Sequence, residues 1–66
     1  MIIKTATKRD INGNRYYLAF DTEKKVYARE AAHWYCKEDV LQITKTERKR
    51  TIEQLKDEGY TEIDYI

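Results

Sequence analysis

Residues 2–11 and 14–20 are two β-favouring runs, rich in Ile, Thr, Tyr, Leu and Phe, separated by Asn12-Gly13. Successive side chains of a strand point to opposite faces. Asn-Gly between two such runs predicts a hairpin closed by a two-residue type I′ loop, whose central residues both need positive φ. That loop sets Asp10 opposite Arg15 and Lys4 opposite Asp21, pairing opposite charges on one face. The other face collects Ile3, Thr5, Thr7, Ile11, Tyr16, Leu18 and Phe20, with Arg9 as its misfit. A second turn is predicted where charge clusters at Asp21-Thr22-Glu23-Lys24-Lys25. A two- or four-residue loop there pairs Phe20 with Tyr27 and Ala19 with Ala28. Tyr27 then joins the core face. The opposite face acquires a row of small residues across three strands, Ala6, Ala19 and Ala28, beside Lys8, Tyr17 and Glu30.

Residues 28–37 carry two signals. Ala28, Ala31, Ala32, Tyr35 and Cys36 follow the i, i+3, i+4, i+7, i+8 spacing of a short amphipathic helix. Val26, Tyr27, Trp34 and Tyr35 favour strand. The helical spacing is taken as the expectation, followed by a turn at Lys37-Glu38-Asp39 and a brief strand over Val40 to Thr44. Thr44-Lys45-Thr46-Glu47 then reads as a capping box. It opens a helix of about four turns that ends before Gly59 as its C′ residue. The apolar stripe of that helix is thin, Ile52 and Leu55, with Tyr60 added beyond the glycine. Residues 60–66 alternate as a final strand, with Ile63 and Tyr65 on one face. The expected fold is a single α+β domain over residues 1–66. It has a small antiparallel β-sheet, in which the Asn-Gly hairpin gains a third strand, a C-terminal helix on one face and a final short strand.

Length bears on stability. A 66-residue chain buries only about 60 % of its unfolded surface, and its one cysteine offers no intrachain disulfide to reinforce it. Self-association is the remaining aid, and the cysteine usage fits a reducing, cytoplasmic setting. The longest run without Asp, Glu, Lys or Arg is the six residues Ala31 to Cys36, against the roughly 20 needed to span a bilayer. The start, Met-Ile-Ile-Lys-Thr, has no apolar signal-peptide region. The net charge of +1 conceals a polarity: residues 1–29 carry seven basic and three acidic side chains, residues 30–66 six basic and nine acidic. Such a dipolar chain suits an oppositely polarised partner or an antiparallel second copy.

Catalysis finds little support. Serine is absent, and the His33/Cys36 pair has no identifiable orienting group or oxyanion hole. The same pair supplies two of the four N/S ligands that structural zinc requires. Glycines only at 13 and 59 preclude a phosphate-cradling loop. Neither a cofactor nor a metal nor a small-molecule substrate is expected. Two surfaces remain. The first is the sheet face of Ala6, Ala19 and Ala28 with Tyr17, Trp34 and Tyr35 as aromatic anchors. Small side chains admit a close approach, and Tyr and Trp are enriched at interfaces. The second is the helix start, where Lys45, Arg48, Lys49 and Arg50 run against the macrodipole and could hold a phosphate or nucleic acid. Tyrosine interleaved with base, as in Arg15-Tyr16-Tyr17, also suits single-stranded nucleic acid. The leading expectation is a non-enzymatic module that binds another protein or itself through the sheet face. Nucleic-acid or phosphate binding at the helix start is the alternative.

Overall fold

The computed structural model describes residues 1–30 and 40–66. The expectation of a helix over 28–37 therefore falls largely outside the described residues, although Ala28 itself ends a strand. Among the described residues six elements follow in order: β1 (Ile2–Thr7), β2 (Tyr17–Asp21), β3 (Val26–Ala28), β4 (Leu41–Ile43), α1 (Lys45–Asp57) and β5 (Thr61–Glu62). The strands form one sheet in the order β4-β1-β2-β3-β5.

The fold is α+β, as the sequence predicts, but the sheet is mixed rather than antiparallel. β1 and β3 flank β2 in antiparallel fashion, while β4 joins β1 and β5 joins β3 in parallel. Four strands thus run one way and β2 runs the other. The cause is α1. Parallel placement needs a crossover longer than a tight turn, and a 13-residue helix, about 20 Å long, carries the chain back from β4 at one edge to β5 at the other. Its path lays Ile52 and Leu55 on Leu18 and Tyr27 of the central strands, with Phe20 and Tyr60 packed around them. This small cluster is the apolar core on the helix-covered face, and Ala6, Ala19 and Ala28 are buried on the other.

The first hairpin departs from the expected register. Residues 2–6 of β1 pair with residues 17–21 of β2 so that Lys4 stands opposite Ala19, not Asp21, and Ala6 opposite Tyr17. Only Gly13 of the turn has positive φ (80°), so a type I′ loop does not form. Instead the Gly13 amide donates to the Asp10 carbonyl and the Asp10 amide to the Asn14 carbonyl, both at 2.9 Å. This is a type I turn closed by a glycine bulge, with a three-residue loop. Asp10 selects it, because its Oδ1 accepts from the amides of Asn12 and Asn14, each at 2.9 Å. One more residue is absorbed between that turn and Thr7, whose amide donates to the Tyr16 carbonyl at 2.9 Å. Two single-residue steps leave every strand residue on its expected face. The core therefore survives the error in register, and Thr5, Leu18 and Tyr27 are all buried.

The second hairpin pairs Phe20 with Tyr27 and Ala19 with Ala28, as expected. Asp21 organises its loop, accepting from the Glu23 and Lys24 amides at 2.9 and 3.2 Å. The helix boundaries also agree with expectation. Thr44 and Glu47 form a reciprocal capping box at 3.0 and 3.1 Å. Gly59, at φ 86°, closes a Schellman motif in which the Gly59 and Tyr60 amides donate to the carbonyls of Lys56 and Leu55. The final strand is shorter than expected, only Thr61–Glu62, and Tyr65 beyond it is exposed.

Candidate functional site

At the end of the sheet where β2 begins and β3 and β5 finish, the surface opens into a cleft of about 760 Å³. Arg15, Tyr16 and Tyr17 enter it from the start of β2, and Arg29 and Glu30 from the residues after β3. Arg48 reaches in from α1, while Glu62, Ile63 and Asp64 form the wall contributed by β5 and the residues after it.

Arg48 is held by the sheet and by an aromatic ring. The capping box fixes where α1 starts, and one turn later Arg48 lies over the sheet. Its Nε donates to the Tyr17 carbonyl at 3.0 Å, and its guanidinium stands 5.8 Å from the Tyr16 ring centroid. Burial pulls its pKa below the usual arginine value, and the neighbouring Arg29 charge pulls the same way. An arginine stays protonated through such a shift, so the cleft holds a partly desolvated positive charge. Among the described residues no carboxylate lies within ion-pairing distance of Arg48. Arg15 resembles it, with Nε donating to the Thr7 carbonyl at 2.8 Å and its guanidinium 5.8 Å from the Tyr17 ring. It too makes no ion pair among the described residues.

Arg29 is held differently. Its Nε and Nη2 donate to the two carboxylate oxygens of Glu62 at 3.1 and 2.7 Å, and the buried Tyr27 hydroxyl donates to Glu62 Oε1 at 3.3 Å. Arg29 first, and Tyr27 after it, hold the Glu62 carboxyl below its usual range. Burial and the Glu62 charge push the Tyr27 phenol up.

The structure redistributes the expected site residues. Ala6, Ala19 and Ala28 are wholly buried, so the small-residue row presents no open face to a partner. The register shift also breaks the row, because Lys4 rather than Ala6 stands opposite Ala19. Small side chains in adjacent strands let something pack closely, and here the three alanines carry no exposed surface. Tyr17 instead lines the cleft. Trp34 and Tyr35 lie outside the described residues.

The basic helix start is divided as well. Lys45 pairs with Asp10 at 3.3 Å and sits 5.0 Å from the Tyr16 ring. Glu47, through the capping box, places a carboxylate where an anion would bind. Lys49 and Arg50 are exposed and outside the cleft lining. Of the four cations only Arg48 reaches the cleft. Tyr16, expected in the core, is partly exposed beneath Lys45 and Arg48. Arg15, Arg29 and Glu62 were not singled out as site residues by the sequence. The alternation Arg15-Tyr16-Tyr17 carried a signal for the first, whereas Glu62 meets Arg29 only through the parallel pairing of β3 with β5.

Among the described residues no three His, Cys, Asp or Glu side chains converge as a metal site, and no helix is long and apolar enough to cross a membrane. Comparisons with protein-family models, curated proteins and solved structures return no match for this chain.

Proposed function

We propose that this chain is a non-enzymatic binding module that captures an acidic segment of a partner protein in the cleft beside Arg15 and Arg48. The observation that carries the reading is Arg48, a half-buried guanidinium facing an open cleft with no carboxylate in ion-pairing distance among the described residues and Glu30 as a more distant counter-charge. Arginine's planar fork favours bidentate carboxylate or phosphate partners. Tyrosine and arginine together are the composition of protein-interface hot spots, and Ile63 adds an apolar contact at the wall. Glu30, Glu62 and Asp64 in the same lining favour a protein over nucleic acid. A continuous phosphate backbone would meet three carboxylates there without relief, whereas an acidic peptide interrupted by leucines can set apolar side chains against Ile63 and the tyrosines.

The test is fluorescence anisotropy of a labelled peptide of three Glu-Asp-Leu repeats, run beside a labelled single-stranded oligothymidylate. Saturable peptide binding is expected, with Arg48→Gln weakening it roughly tenfold or more, the worth of a hydrogen bond to a charged group. Far-UV circular dichroism checks that the variant stays folded. Oligonucleotide binding with a steep salt dependence, unaffected by Arg48→Gln and with no peptide binding, would overturn the reading and return the search to Lys49 and Arg50. Light scattering at the same concentrations shows whether the acidic segment can be supplied by a second copy.

A further inference from the structure

Within the cleft the three arginines are not equivalent, and the difference lies in Glu62. We infer that Glu62 is an internal occupant of the site, a resident carboxylate that keeps Arg29 from acidic ligands and sets the affinity for them. This rests on the cleft being the binding surface.

Three observations carry it. The contact has the geometry of a bound ligand, with both carboxylate oxygens on the guanidinium fork of Arg29, at 2.7 and 3.1 Å, and a phenol hydroxyl at 3.3 Å. It therefore shows that these donors fit a carboxylate. It is also accessible, since the two side chains are 45 % and 42 % exposed and both line the cleft. Finally, β5 has backbone pairing of its own. The Thr61 amide donates to the Lys25 carbonyl at 3.0 Å and the Ile63 amide to the Tyr27 carbonyl at 2.8 Å, so the strand keeps its pairing without the side-chain charge. The Lys45–Asp10 pair is a contrast, because the other oxygen of Asp10 closes the first hairpin loop.

The same Glu-Asp-Leu peptide is titrated into wild type, Glu62→Gln, Arg29→Gln and the double variant, with Asp64→Asn as a control for charge alone. Glu62→Gln is expected to bind about two- to fivefold tighter, the equilibrium factor of one exposed guanidinium–carboxylate contact. Asp64→Asn should gain less, and Arg29→Gln should cancel the gain in the double variant. If Glu62→Gln gains nothing, or gains equally without Arg29, the internal-occupant role is overturned. The cleft itself stands in that case provided Arg48→Gln still weakens the peptide. Failure of both wild type and Glu62→Gln to bind would remove the cleft and this inference together.

Discussion

Truncating Leu18 to alanine probes how thin the core is. Leu18 has no exposed surface and forms with Tyr27, Ile52 and Leu55 the buried cluster that joins α1 to the sheet. Removing a buried leucine side chain costs about 2–5 kcal/mol, counting the lost transfer energy and the cavity left behind. A domain of this size rarely has more than about 3–5 kcal/mol in all. Leu18→Ala should therefore bring the chain close to its folding midpoint at room temperature. At about 4–8 °C per kcal/mol, the melting temperature should fall by roughly 10 °C or more. Urea unfolding followed by far-UV circular dichroism measures the loss. Leu41→Ala, at a β4 position 60 % exposed, is the matched control and should lie within about 0.5 kcal/mol of wild type. A Leu18→Ala loss below about 1 kcal/mol, or one no larger than that of Leu41→Ala, would refute the assignment of this cluster as the apolar support of the helix–sheet contact.

Two other predictions concern the helix start and the hairpin loops. Thr44→Ala removes the hydroxyl that accepts from the Glu47 amide and should lower stability by about 1 kcal/mol. Glu47→Ala in that background should add little, because the two bonds form one reciprocal box; a double-mutant cycle by urea unfolding checks the coupling. The Asp10 and Asp21 carboxyls are held below their usual range, chiefly by backbone amides of Asn14 and Lys24 respectively. A carboxyl with a depressed folded pKa contributes stability above its unfolded value and loses it as pH falls through the folded one. Melting temperature should therefore drop below about pH 4, less so in Asp10→Asn and Asp21→Asn, and an acid limb unchanged in both variants would count against loop closure by these groups.

How much of this was legible from sequence depends on the range of the interactions. Leu18, Tyr27, Ile52 and Leu55 could be placed because strand alternation and helix spacing are local, and parity tolerates a two-residue slip. Thr44, Glu47 and Gly59 were equally readable, since capping is decided within one turn. The hairpin register was not, because Asn12-Gly13 suggests one loop while the Asp10 carboxylate stabilises another. The parallel edges were missed because crossover connections determine them, and no local pattern says where a crossover lands. The alanines were a true signal of close packing, but spacing cannot say whether the covering atoms belong to another molecule. Arg48 stood out as one cation in a run. What distinguishes it from Lys49 and Arg50 is burial over Tyr16 and Tyr17, a tertiary fact.

The most direct measurement is a ¹H–¹⁵N NMR titration with the Glu-Asp-Leu peptide, following the arginine Nε–H resonances with the backbone amides. Saturable shifts of Arg15 and Arg48 Nε–H together with the Tyr17 and Ile63 amides would locate the ligand in the cleft. Shifts confined to Lys49 and Arg50, or none at a peptide excess that saturates the anisotropy signal, would contradict the assignment.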